Sequence, residues 1–337
     1  MCPADILRRM AAPLRSKLPS VVLSSVVRSA FKGESHGGVY LIDLETERID
    51  QVIDWADPTI NWEGRGADRG LRGIAFHGQS VYLAASDEIF VYDKTFALQG
   101  SFKNRYLKHC HEIQVEGERL YATSTGFDSV LEYDLAAEDF VRGYCLRFSS
   151  IWRSRRKVGL RPRPRFRTFD PRGDAGPIAG DTCHVNNVFA RDGAVHVSGT
   201  GLGTMWRIAD GRLSRFAAIP YGSHNARPFR EGVLLNHTAS DRIAYVDRRG
   251  GTLRSFPLPT YPEHQLENAT LPKDLARPAF GRGLAVAEND DLIIGGSSPA
   301  TITAYRFGSG LTLKSVNVTM DVRNAVHGLE IWPFPKA

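Results

Sequence analysis

At 337 residues, with 42% hydrophobic and 24% charged side chains, the chain can form one large all-β domain or two ordinary ones, and its apolar content excludes wholesale disorder. Four cysteines, Cys2, Cys110, Cys145 and Cys183, lie without CxxC spacing, which argues against a disulfide framework or a thiolate zinc site and suits the reducing cytoplasm, the expected location. The formal net charge of +6 is unevenly spread along the chain.

Residues 1–19 read as a basic N-terminal extension: charges recur every few positions, and the continuous apolar run of a signal peptide or membrane span is missing. A short basic helix lying on a surface is the alternative. From Val21 the pattern changes to short alternating runs of Val, Ile, Leu, Tyr and Phe punctuated by Gly, Asp or Asn, the chemistry of strands and turns. "VVLSSVV", "GGVYLID" and "ERIDQVI" predict three strands. "RGIAFHGQSVYLAASDEIFVYDKTFALQGSF" from Arg72 predicts four, and "HEIQVEGERLYATSTGFDSVLEYDLAAEDFVRGYCL" from His111 repeats that plan.

Between Arg147 and Arg172, ten Arg or Lys face only Asp170, with aromatic residues interleaved. Arg153, Arg155, Arg156, Lys157, Arg161, Arg163, Arg165 and Arg167 make this stretch a solvated basic loop, a lid over an anionic ligand, or a contact for an acidic protein, an anionic membrane or a polyanion. It carries no sequence-specific nucleic-acid motif.

The repeat resumes at His184 with "HVNNVFARDGAVHVSGTGLGTMWRIADGRLSRFAAI" and at His224 with "HNARPFREGVLLNHTASDRIAYVDRRGGTLRSFPLP". It continues from Arg282 with "RGLAVAENDDLIIGGSSPATITAYRFGSGLTLKSVNV" and ends on "HGLEIWPF" from His327, a single strand that completes the three near the N-terminus. Six four-stranded units predict an all-β, six-bladed β-propeller over residues 20–337, closed by a split blade. A β-sandwich with an appended domain is the alternative, and it leaves the sixfold repeat and the split unit without a cause.

In a propeller the first strand of every blade lines the axial channel, so the residues that open these strands form a ring at one mouth. In blade order the ring is His327, Arg72, His111, His184, His224 and Arg282. Imidazole ligates transition metals, and guanidinium grips anions without coordinating. The ring therefore predicts a divalent transition metal on His111, His184, His224 and His327, Fe(II) favoured and Cu, Zn or Mn as alternatives, with Arg72 and Arg282 orienting a small anionic substrate. A metal-free polar pocket and purely structural histidines are the other readings.

Metal-bound imidazole usually donates its second N–H to an oxygen, and Glu112, Glu330, Glu63, Asp181 and Glu267 are the candidates for that role. His109 and His264, in connections near the mouth, are candidate acids or bases. Long connections at 54–71, 147–183 and 258–281 are expected over the same mouth, with Trp62, Trp152, Phe166 and Tyr261 as walls.

"CHVNNVFARDGAVHVSGTG", "SHNARPFREGVLLNHTASDRIAYVD" and "FGRGLAVAENDDLIIGGSSP" resemble segments of bacterial β-propeller proteins of unknown function, across roughly 70–330. That resemblance implies the fold and no reaction. The axial layout is similar to that of carotenoid cleavage oxygenases, which hold ferrous iron on four histidines but have seven blades and apolar lids. Two function classes follow. One is a metal-dependent enzyme, oxygenase-like, or a redox-silent lyase or cyclase; the other is a binding platform whose basic loop recognises an acidic partner. The chain lacks a G-x-S-x-G elbow, a phosphate-binding loop and an H-E-x-x-H helix, and the ring lacks the carboxylates of a calcium lactonase.

Overall fold

The computed structural model describes residues 17–31, 33–56, 70–148, 163–273, 276–287 and 291–335. Short β-branched and aromatic runs broken by tight turns form strands, buried on both faces within the blades, as Ala194–Gly199 is, and largely exposed at the outer edges, as Leu98–Lys103 is. The strands pair antiparallel into six sheets, the blades of a propeller. Blade 1 holds β1 (Ser20–Val27), β2 (Gly38–Asp43) and β3 (Ile49–Asp54). Blade 2 is β4 (Ile74–His77), β5 (Ser80–Ala85), β6 (Glu88–Asp93) and β7 (Leu98–Lys103). Blade 3 is β8 (Ile113–Glu116), β9 (Arg119–Ser124), β10 (Ser129–Asp134), β11 (Asp139–Arg147) and β12 (Arg165–Phe169).

Blade 4 follows as β13 (Val185–Arg191), β14 (Ala194–Gly199), β15 (Thr204–Ala209) and β16 (Arg212–Ala218). Blade 5 is β17 (Ser223–Phe229), β18 (Gly232–His237), β19 (Arg242–Val246) and β20 (Thr252–Pro257). Blade 6 is β21 (Leu284–Val286), β22 (Leu292–Ser297), β23 (Thr301–Arg306) and β24 (Thr312–Asn317). The last strand, β25 (Asn324–Ile331), returns to blade 1 and pairs with β1 as its innermost strand. The ring is thus closed by pairing the two ends of the chain. The core is divided among the blade interfaces; one cluster joins Val21, Leu23 and Ile42 of blade 1 to Ile294, Ile302 and Ala304 of blade 6.

Two expectations need correction. The connection 147–183 is not all loop: Arg165–Phe169 adds a fifth strand to blade 3, because Phe166 gains the Leu146–Tyr144 edge to pack on and Phe169 covers Gly143. His327 does not open its strand either. β25 begins at Asn324, and His327 sits at a register shift against β1. Arg153, Arg155, Arg156, Lys157, Arg161, Trp152, Trp62, Glu63 and the first sixteen residues of the N-terminal extension lie outside the described residues. Among the described residues no helix is long and apolar enough to cross a membrane.

Candidate functional site: a histidine and arginine mouth

The inner strands are irregular where the ring residues lie. Register shifts fall between Val185 and Asn187 in blade 4, between His224 and Arg227 in blade 5, and between Leu23 and Ser25 opposite His327 in blade 1. In blade 2 the Arg72 amide donates to the Ala84 carbonyl while the Ala84 amide donates to Gly73, and Gly296 is shared in the same way by Arg282 and Gly283. One extra inner residue per outer residue re-aims a side chain that regular pleating would point between blades. Left-handed backbone at His184 (φ 51°), Asn225 (φ 47°) and Gly283 (φ 75°) belongs to this geometry. Close approach at the axis explains two glycines: a Cβ on Gly328 would meet the Arg72 carbonyl oxygen at 2.2 Å, and one on Gly73 the Ile113 nitrogen at 2.5 Å.

Three imidazoles are tied outward through Nδ1. That of His111 lies 2.9 Å from both the His109 carbonyl and Thr125 Oγ1, that of His184 2.8 Å from Asp181 Oδ2, and that of His224 2.8 Å from Thr238 Oγ1. The threonine hydroxyls spend their own protons on the carbonyls of Val185 (2.6 Å) and Gly281 (3.0 Å). Each must therefore accept from the imidazole, which places the proton on Nδ1 and leaves Nε2 as a bare lone pair. Among the described residues Nε2 of His224 and of His327 is buried without a hydrogen-bond partner. Nε2 of His111 accepts from Arg72 Nη1 at 3.1 Å.

Burial, followed by the guanidiniums, holds three of these rings neutral. The pKa of His111 is pushed well below the usual imidazole range by burial and then by Arg72 and Arg282. His224 is lowered by burial and then Arg282, and His327 by burial and then Arg282, Arg72 and Arg28. Arg28 is a third guanidinium at this mouth, which the repeat does not mark. It lies 4.5 Å from the centroid of Phe280, on which Arg282 (5.0 Å) and Arg277 (5.2 Å) also stack, and the His224 ring is 6.1 Å away.

The predicted ring thus comes together, with changes. The His111 ring lies 5.4 Å from that of His184 and 6.5 Å from that of His327, but its Nε2 is committed to Arg72. Among the described residues no group of three or more His, Cys, Asp or Glu is placed to hold a metal ion. Of the five carboxylates nominated to orient imidazoles, Asp181 does so, and threonines do it for His111 and His224. The signal for them was a threonine fourteen residues after each histidine, in "STG" and "HTAS".

Glu112 and Glu330 do something else. They follow His111 and His327 along the inner strands and line a small cavity further down the channel, about 30 Å³, with Gln114, Asn187, Asn225 and Arg227. Both are half-buried by surface yet closely surrounded by protein: burial first, and then the charge of Glu330, push Glu112 up to about 8, while burial raises Glu330 to about 7 against the pull of Arg227. Asn225 Nδ2 donates to Glu112 Oε2 at 2.6 Å.

His109 stands beside the ring, its pKa lowered by burial and then Arg72. His264 lies in a short turn with Glu263, and Glu267 bridges to Asp321 and bears on Arg323, so neither touches the ring imidazoles. In the basic run, Arg147 and Arg163 are spent on backbone carbonyls, of Ile178 (2.8 Å) and Leu213 (2.8 Å), and Arg165 and Arg167 project from the edge strand.

No family model matches the chain, and no curated protein does. Among solved structures it is similar to a protein of unknown function from Bacteroides caccae, with TM-score 0.56 and 9% identity over 93% of this chain and 98% of that one, a likeness of fold alone. A catalytically inactive virginiamycin B lyase from Staphylococcus aureus with quinupristin aligns with TM-score 0.45 and 10% identity over 77% of this chain and 73% of that one, too loose a match to carry an argument. The likeness to carotenoid cleavage oxygenases finds no support in these comparisons.

Proposed function

We propose that the histidine and arginine mouth is the active site of an enzyme that acts on a small anionic substrate, a carboxylate or phosphate. The observation that supports this is the pairing of opposite needs: Arg28, Arg72 and Arg282 press on imidazoles that burial has already made neutral. An anion in the mouth relieves that field, hydrogen-bonds the guanidinium forks, and leaves Nε2 lone pairs to accept protons from it. His184 is the group to move a proton. It is only partly buried, and its Nδ1 is held by the Asp181 carboxylate at 2.8 Å. That dyad leaves Nε2 free to take a proton next to the anionic group and stabilises the imidazolium that results. The chemistry is proton transfer on the substrate, of the elimination or isomerisation type.

A second reading has one observation in its favour. The outward tethering of Nδ1 on His111, His184 and His224 is the pattern that prepares imidazoles for a metal. A divalent transition metal, Fe(II) foremost, would need Nε2 of His184, His224 and His327 to draw together, since they do not stand within reach of one ion; bound there it would supply Lewis-acid or oxygen-dependent chemistry. His111 is the least fitted of the four while Arg72 holds its Nε2.

Calorimetric titration with a panel of small carboxylates and phosphates, alongside metal content measured by plasma mass spectrometry on anaerobically purified protein, tests both readings. The first expects saturable anion binding that tightens as pH falls, because an anion raises the imidazole pKa values and binding takes up protons. An absence of anion binding across the panel overturns it. Near-stoichiometric iron, lost in a folded His184→Ala/His224→Ala variant, establishes the second.

A further inference from the structure

Blades 3 and 5 carry the same four-residue turn between their second and third strands: Thr125-Gly-Phe-Asp128 and Thr238-Ala-Ser-Asp241. Each is a single turn of 3-10 helix ending on an aspartate in left-handed backbone, φ 50° at Asp128 and 52° at Asp241. In each the threonine accepts from the imidazole Nδ1 of its own blade and donates to the next blade, at Val185 in one case and Gly281 in the other.

The aspartate then grips the chain that leads into the next ring residue. The wholly buried Asp128 takes the amide of Thr182 (2.7 Å), its hydroxyl (2.7 Å), and the amides of Cys183 (2.8 Å) and His184 (3.1 Å). Arg147 closes over the same connection through the carbonyls of Ile178 and Gly180. Asp241 receives Arg277 Nη1 at 2.6 Å, and Arg277 also donates to the Thr238 carbonyl and stacks on Phe280 beside Arg282.

We propose that these T-x-x-D turns are positioning devices, each orienting the imidazole of its own blade and the ring residue of the next, so that His111 is coupled to His184 and His224 to Arg282. The inference deepens the proposed function, since it takes His184 as the group that moves the proton. Four donors on one buried carboxylate fix the backbone at His184 in a left-handed conformation a histidine rarely adopts, and that conformation sets its Nδ1 against Asp181.

The test is long-range proton–nitrogen NMR of the histidine rings, which reads the tautomer directly, with anion affinity measured in parallel. Asp128→Asn removes the charge and misaligns a donor against the amides. Thr182→Val removes only the hydroxyl bond and serves if Asp128→Asn does not fold. Thr125→Val removes the shared hydroxyl. The expected result is that in the folded variants His184 loses its fixed Nδ1–H tautomer, with about a tenfold loss of anion affinity for Asp128→Asn and about threefold for Thr182→Val. Thr125→Val shifts the signals of His111 and His184 together. Unchanged His184 tautomer and affinity in both folded Asp128→Asn and Thr182→Val overturn the proposal, as does a Thr125→Val effect confined to His111. A wild type that shows the fixed tautomer yet binds no anion overturns the proposed function instead, and the tautomer shift still decides the positioning role.

Discussion

The two levels of the axial channel reach neutrality from opposite directions. At the mouth, burial and guanidiniums lower the pKa values of His111, His224 and His327, so bases stay unprotonated. Further down, burial raises Glu112 to about 8, with the charge of Glu330 adding to it, and raises Glu330 to about 7 against the pull of Arg227, so the acids hold their protons far above the usual carboxyl range. The same low-dielectric walls act on both, and the sign differs because burial penalises whichever form is charged. Fixed charge is therefore supplied at the mouth almost wholly by arginine. The mouth is receptive to anions, and the lower level forms a polar plug in which Arg227 is the standing charge and the two glutamates ionise only from about neutral pH upward.

The largest expected effect breaks the asymmetry at its source. Replacing Arg72 and Arg282 together by methionine removes two guanidiniums and should cost at least 100-fold in anion affinity, about 2.7 kcal/mol, measured by calorimetry. In the same variant the His111 imidazole should titrate at higher pH by NMR, because the cations that depress it are gone. Unchanged affinity would place the anion elsewhere.

The second prediction sets the two levels against each other through stability. His111, His224 and His327 have folded pKa values below their unfolded ones, so the stability they contribute is present above about 6.5 and is lost as pH falls below it. Glu112 has a folded value above its unfolded one, so its contribution is present below about 4.5 and is lost as pH rises through about 8. Thermal unfolding should give a dome with both limbs, the alkaline one on the order of 2 kcal/mol after allowance for channel water and for coupling to Glu330. Glu112→Gln should flatten the alkaline limb and leave the acid limb in place. A variant that flattened both would show that the levels are not independent.

A smaller effect sharpens the assignment of the tethers. Thr238→Val leaves a buried Nδ1–H without its acceptor and should cost about 1 kcal/mol in chemical denaturation while disturbing the His224 tautomer. The smallest concerns the exposed edge of blade 3. Arg165→Ala/Arg167→Ala should change stability by less than about 0.5 kcal/mol and leave anion affinity at the mouth untouched. A fall in that affinity would make the basic run part of the site.

Much of this molecule was legible as a string. The recurring turn chemistry and the His or Arg that opens each unit gave the blade count, the split closure and the six ring residues, because the strand period and the turn residues are local properties of sequence. Asp181 could be nominated because it stands three residues before His184. Arg28 could not, since it follows the second strand of the split blade, outside the position the repeat marks, and only the packing of the blades sets it on Phe280 beside Arg282. Nor could the fifth strand of blade 3, where a run of arginines hides the Phe166 that packs against Tyr144.

What sequence alone determined is the sixfold repeat and the positions its units open on, without the Arg28 that joins them at the mouth. Tertiary structure decided its chemistry: which lone pairs face the axis, which imidazole Arg72 occupies, and that Glu112 and Glu330 form their own level. Those outcomes depend on one extra residue at each inner-strand register shift and on threonine hydroxyls fourteen residues away, whose own protons go to Val185 and Gly281, hydrogen bonds that exist only once neighbouring blades have packed.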